Sequence, residues 1–255
     1  MNRSIPAPWL VTMALSLNAV AVMLTGVSVV ALDAGPAHAA GRSTSGASSD
    51  PPSRDEADVA DPALQSYLGW KYMTGLYGTP IDHSKAAKWF REAAAQGNAE
   101  GEFWLGWLYV DGLGVPKDHV EAHQWFRRAA EKGHALAQYR LGVVYGRGLG
   151  VTKDDSEAIK WLRKAAEQGD PIAQYELGVR CHKGIGTTKD DAEAIRWFRQ
   201  GADKGDMNGQ FYLGVMYVNG WGLPKNEAEG LAWLLKAARQ GHEEAAKHIK
   251  ALRGV

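Results

Sequence analysis

From Ala137 onward the apolar residues Ala137, Leu141, Val144 and Tyr145 fall at i, i+4, i+7 and i+8, the spacing of one face of an α-helix. Farther on, Ala158, Trp161, Leu162, Ala165 and Ala166 fall at i, i+3, i+4, i+7 and i+8, a second apolar stripe. Between the two, the stretch GRGLGVTKD at 146–154 carries glycines that take positive φ and end a helical path. The pattern predicts a first helix, a turn and a second helix. Asp154 is placed to cap the second helix, and Glu157, three residues on, completes a capping-box pattern. Gly169 is the expected left-handed residue at that helix's end. Asp170 and Pro171 then open another first helix as cap and first-turn proline.

The same pattern recurs along the chain. Trp89, Trp125, Trp161, Trp197 and Trp233 are spaced by 36 residues, and so are Gly97, Gly133, Gly169, Gly205 and Gly241. The expected caps Asp82, Asp118, Asp154, Asp190 and Asn226 keep the same step. A strict period in this range, long enough for two helices and a turn, is the mark of a helical solenoid. Glycine stands inside every first helix, at Gly69, Gly106, Gly142, Gly178 and Gly214. It costs about 1 kcal/mol against alanine in a helix interior, so its recurrence predicts close approach of a neighbouring helix. Five units are expected, at 61–97, 98–133, 134–169, 170–205 and 206–241. The tail HEEAAKHIKALRGV reads as a last, more polar helix that closes the open end.

These residues form the pattern A-x-x-x-L-G-x-x-Y-x-x-G-x-G-V-x-x-D-x-x-x-A-x-x-W-x-x-K-A-A-x-x-G, which resembles the Sel1-like repeat, a relative of the tetratricopeptide repeat. The resemblance covers about residues 61–255. It implies an all-α fold, a right-handed α/α superhelical solenoid of about five 36-residue helix-turn-helix repeats. It also implies a role as adaptor or regulator in assembly, envelope signalling or host contact. Two departures stand out. The first unit has one extra loop residue in GLYGTPID, and Cys181 replaces the tyrosine found at Tyr72, Tyr109, Tyr145 and Tyr217, which predicts a looser core there.

The first 39 residues differ from the rest. Arg3 is their only basic residue, the run from Trp9 to Leu32 is mostly apolar, and Ala37-His38-Ala39 is an A-x-A-like cleavage site. They read as a secretory signal, or as an uncleaved membrane anchor, and in both cases the repeats would be exported to the periplasm or beyond. Residues 40–60, rich in Ser, Gly, Pro and charge, are expected to be a disordered linker. Lys plus Arg and Asp plus Glu both number 29, so no global field points to nucleic acid. Cys181 is the only cysteine, which excludes an internal disulfide and leaves stability to stacking.

Candidate chemistry is sparse. His119 and His123 stand at i, i+4, a spacing that can hold a metal, but without a third ligand they read better as part of a solvated helix face. No S-x-x-K or G-x-S-x-G occurs, and the loop glycines Gly148 and Gly150 lack a following G-K-S/T. No cofactor is expected. Cys181 occupies a core position and reads as a small buried residue. What changes from unit to unit is one side of the first helix. The place before the repeated leucine reads Tyr67, Trp104, Arg140, Glu176, Tyr212, and the place four residues on reads Lys71, Leu108, Val144, Arg180, Met216. These ten residues are expected to line a concave strip that binds another protein or a peptide segment, with Trp, Tyr and Arg as anchors. For Trp104 and Leu108 the alternative is packing against the preceding unit. Two other readings are a β-lactamase-like hydrolase, as labelled for some cysteine-rich exported relatives, and a purely structural array.

Overall fold

Each first helix begins at a side chain that can accept from free backbone N–H groups and ends at a glycine, and this punctuation makes the helices almost equal in length. The structure, a computed structural model, describes residues 59–253. The helices are α1 (Pro62–Thr74), α2 (His83–Ala95), α3 (Ala99–Asp111), α4 (His119–Glu131), α5 (Ala135–Arg147), α6 (Asp155–Glu167), α7 (Pro171–Lys183), α8 (Asp191–Asp203), α9 (Met207–Asn219), α10 (Glu227–Arg239) and α11 (Glu243–Arg253). They form five helix pairs followed by the closing helix, with no strand among the described residues. The expected signal segment and almost all of the expected linker lie outside the described residues. Its last part is ordered, however: the Val59 carbonyl accepts a 2.8 Å hydrogen bond from the Gln65 side chain, and Val59 packs on the first core cluster. Among the described residues no helix is long and apolar enough to cross a membrane.

The caps form where the spacing places them. Asp82, Asp154, Asp190 and Asn226 each accept from the backbone N–H three residues on, and Asp118 accepts from those of Val120 and Glu121. The reciprocal half of the capping box is not made. The Asp154 backbone N–H donates instead to the Tyr145 carbonyl at 2.9 Å, and Glu157 turns to Lys160 at 2.8 Å. The same bond ties every turn to its first helix: Asp82 to Tyr72, Asp118 to Tyr109, Asp190 to Cys181 and Asn226 to Tyr217. Because it uses the backbone carbonyl, it survives the tyrosine-to-cysteine change at Cys181.

Packing explains the helical glycines. A Cβ on Gly178 would lie 2.6 Å from the Phe198 ring, and one on Gly142 would lie 2.5 Å from Leu162. Phe90, Phe126 and Leu234 stand in the same way against Gly69, Gly106 and Gly214. All five of these second-helix side chains are fully buried, each contributing about 1.5–3 kcal/mol relative to exposure. At the next repeat of this position, on α11, the chain has Lys250 in place of glycine.

Neighbouring repeats are also joined by a buried polar ladder that periodicity alone does not reveal. Gln138, Gln174 and Gln210, all buried, donate through Nε2 to the carbonyls of Ala130, Ala166 and Ala202 in the preceding second helix. Gln168 and Gln240 in turn donate to the side chains of Gln138 and Gln210, and to the carbonyls of Gly133 and Gly205. In repeat 2 the rung is charged: Glu102 accepts from Lys132 at 2.7 Å, while its buried Oε2 has no donor. An unsatisfied buried oxygen costs about 1–3 kcal/mol. Glu102→Gln keeps an acceptor for Lys132 and replaces the unpartnered oxygen with an N–H donor of the kind that the other rungs use, so it is expected to stabilise the protein by about 1 kcal/mol. A urea titration beside wild type checks this, and a lowered midpoint would show that the charge pair outweighs the orphaned oxygen.

Candidate functional site

First helices of consecutive repeats touch directly, α1 against α3 and α7 against α9, whereas no two second helices come together to that extent. At these two junctions the array is tighter along the first-helix side, the inner side there. Among the residues of α5 left at least partly exposed, Leu136, Tyr139, Arg140, Val143 and Arg147 form a stripe at i, i+3, i+4, i+7 and i+11. The other repeats present the same stripe, and it carries Trp70, Trp104, Trp107, Tyr175, Phe211 and Tyr212.

One of the two expected rows lies on this face. Tyr67, Trp104, Arg140, Glu176 and Tyr212 are all partly exposed. Trp104 is the hub of an aromatic cluster, with ring centroids 6.4 Å from Trp70, 6.3 Å from Phe90, 5.0 Å from Phe103 and 6.2 Å from Trp107. Its indole N–H donates to Glu100. Tyr212 stacks on Phe198 at 5.0 Å and meets Tyr175 at 5.5 Å. Arg140 lies over the Trp107 ring at 4.1 Å.

The second expected row is corrected by the structure. Leu108, Val144 and Met216 are buried, each in a core cluster shared with the preceding repeat. Positions four residues on from the exposed row turn into the seam between repeats and do not run along the open face. Arg180 fills the same seam: it donates to Asp155 at 2.9 Å, and Gly146 leaves room for its guanidinium. Lys71 is partly exposed, with no preceding repeat against it among the described residues. The true companions of the exposed row stand three residues on, at Trp70, Trp107, Val143 and Val179, and one residue before, at Tyr139, Tyr175 and Phe211, whereas the equivalent Val215 and Phe103 are buried. Trp107 and Trp70 at i+3 were the sequence signal for this register.

The remaining candidates resolve into packing. His123 is half-buried, and its Nε2 lies 3.2 Å from the Tyr145 hydroxyl, so the reading of a solvated face is corrected there. Burial holds its imidazole below the usual histidine range, and Arg127 adds to the effect. No group of three or more His, Cys, Asp or Glu residues able to hold a metal is present among the described residues. Cys181 is fully buried. Its thiol is pushed up to about 12, by burial first and by Glu193 second, which removes the thiolate needed of a nucleophile. Beside it Arg163 of the preceding repeat pairs with Glu193, whose carboxyl is held below the usual range by that bond. This ion pair reinforces the core at the position where a looser packing was expected.

The profile of the Sel1 repeat matches the chain five times, at residues 62–98, 99–134, 135–170, 171–206 and 208–242. These limits fall within a residue or two of those read from the period. Among solved structures, a Sel1 repeat protein from Oxalobacter formigenes is 36% identical with a TM-score of 0.69, the match covering 76% of each chain. The structure of c5321, a protective antigen of uropathogenic Escherichia coli strains with an SLR fold, is 36% identical with a TM-score of 0.73. That match covers 76% of this chain and 41% of the antigen, so the chain spans less than half of that relative's length. No curated protein sequence matches the chain. Proteins built from these repeats typically serve as scaffolds that bind other proteins and are generally non-catalytic. Five profile matches over most of the chain, on an all-helical solenoid with glycine-seated second helices, make this protein a member of the Sel1 repeat family.

Proposed function

We propose that the protein is an exported scaffold that captures a segment of another protein along its first-helix face. The observation that carries this reading is the row of aromatics left partly exposed among the described residues, Trp70, Trp104, Trp107, Tyr139, Tyr175 and Tyr212. Aromatic side chains present large contact areas at low entropic cost, and they dominate binding hot spots. The Ala37-His38-Ala39 site supports export, and with it a role as adaptor or regulator in the cell envelope.

The test is capture from an envelope extract with the full chain, run beside Trp70→Ala/Trp107→Ala/Tyr175→Ala of unchanged helicity. A protein retained by the first and lost by the second supports the reading. Equal retention by both removes the first-helix face from the function. Turnover of a β-lactam that scales with protein concentration would replace the scaffold reading with the enzymatic one.

A further inference from the structure

We propose that the first-helix face of repeats 2 to 4 selects an acidic peptide segment, one carboxylate seating on the Arg140 guanidinium above Trp107 and flanking acids meeting Arg147 and Lys183. This rests on the scaffold reading and specifies the chemistry of the partner.

Three cations at the seams between repeats are paired with acids. Arg180 spends itself on Asp155 at 2.9 Å, Lys132 on Glu102 at 2.7 Å, and Arg163 on Glu193. Arg140 differs. Its guanidinium carbon is 4.1 Å from the centroid of the Trp107 ring and 5.6 Å from that of Tyr139, and no acceptor bonds to it among the described residues. Held over the indole without an acceptor, the guanidinium keeps its N–H donors available in the fork that matches a carboxylate. Burial acts against its charge and lowers its pKa, with Tyr139, Asp111 and Asp170 opposing. The stack thus holds a desolvated cation in place without neutralising it, and an incoming carboxylate supplies what is missing.

Two more cations extend the site. Arg147 stands two turns along α5 on the same side as Arg140, and Lys183 is its counterpart on α7, 36 residues on. Both are exposed, and neither has a carboxylate within ion-pairing distance among the described residues. The acids on this part of the face are Glu100, Asp111, Asp170 and Glu176, of which Asp111 and Asp170 act on Arg140 through space without bonding to it. Glu100 is engaged by His134 at 2.9 Å, and Glu176 lies 3.8 Å from the Arg180 Nε. Arg140, Arg147 and Lys183 are thus three cations without a bonded carboxylate among the described residues, on a chain with formal net charge of zero. Partly exposed Tyr139, Tyr175, Val143 and Val179 lie among the cations and offer apolar contact to alternate side chains of an extended segment. So few cations, bordered by acids, suit a peptide better than the dense charge of a nucleic acid backbone.

The test uses the full-length protein and short fluorescein-labelled peptides alternating Glu, Gln or Lys with Tyr, read by anisotropy. The Glu/Tyr peptide is expected to bind about tenfold more tightly than the Gln/Tyr one. Arg140→Gln should abolish that preference, and raised salt should weaken it. Arg127→Gln, which removes an exposed second-helix cation paired with Glu131, should leave it intact. Because Arg140 is packed, Arg147→Gln/Lys183→Gln on exposed positions is measured in parallel and is expected to reduce the preference. Equal binding of the Glu and Gln peptides, lost in Trp107→Ala, overturns the acidic preference and leaves the aromatic scaffold standing. Failure of every peptide to bind, or tighter binding of a single-stranded oligonucleotide than of the Glu/Tyr peptide, overturns the proposal as well.

Discussion

Gly150→Ala is expected to destabilise the protein by about 3–4 kcal/mol, far more than the same change at Gly78. Both glycines have left-handed backbones, with φ of 72° and 74°. An L side chain in that conformation costs about 1–2 kcal/mol, and both variants carry this cost. They differ in what the new Cβ meets. At Gly150 it would lie 2.7 Å from the Val120 backbone nitrogen and closer still to the His119 carbonyl, at the start of the preceding repeat's second helix. Backbone at a helix start cannot move aside as a side chain can, and overpacking of this kind adds about 1–3 kcal/mol. At Gly78, in the first repeat, no preceding repeat is present among the described residues and none of them lies within 4 Å of the new Cβ. Gly114 and Gly186 meet the backbone of His83 and Asp155 in the same way, so each turn is a spacer between successive repeats. Urea titrations of the two variants beside wild type measure the difference. Equal losses at Gly78 and Gly150 would mean that the turn relaxes and that repeat spacing is set elsewhere.

Phe198→Ala is expected to cost about 3–5 kcal/mol, whereas Phe198→Leu should cost less than about 1.5 kcal/mol. The ring is fully buried, seated on Gly178 and stacked on Tyr212 of the next repeat. Truncation opens a cavity between two helices whose closest approach is built around that ring. Leucine already fills the equivalent place at Leu162 and Leu234, so the seat accepts either shape. In a solenoid the damage should concentrate in repeats 4 and 5. Hydrogen exchange checks this: protection is expected to fall first in α7 to α9, and a uniform fall along the array would show that the repeats unfold as one unit.

Much of this architecture was legible before any coordinates. A period of 36 residues, caps at Asp82, Asp118, Asp154, Asp190 and Asn226, and closing glycines such as Gly169 are local instructions. Each acts within one turn of backbone, so each can be read from neighbouring letters. The recurring Gly69, Gly106, Gly142, Gly178 and Gly214 also announced a close helix contact, because a costly residue that returns in every copy needs a tertiary reason.

The inner face was half legible. Tyr67, Trp104, Arg140, Glu176 and Tyr212 follow from the helical period, but whether their companions stand three or four residues on depends on how far each first helix is rolled against its predecessor. That roll is set by packing across the seam, where Leu108, Val144 and Met216 are buried and Arg180 finds Asp155. The buried glutamine ladder was hidden for a related reason. A polar residue on a helix surface is ordinary, and only the juxtaposition of Gln138 with Ala130 and Gln168 shows that it closes backbone groups inside the stack. Local hydrogen bonding and periodicity thus specify the helices and their count, whereas the contact between repeats decides which side chains remain open to a partner.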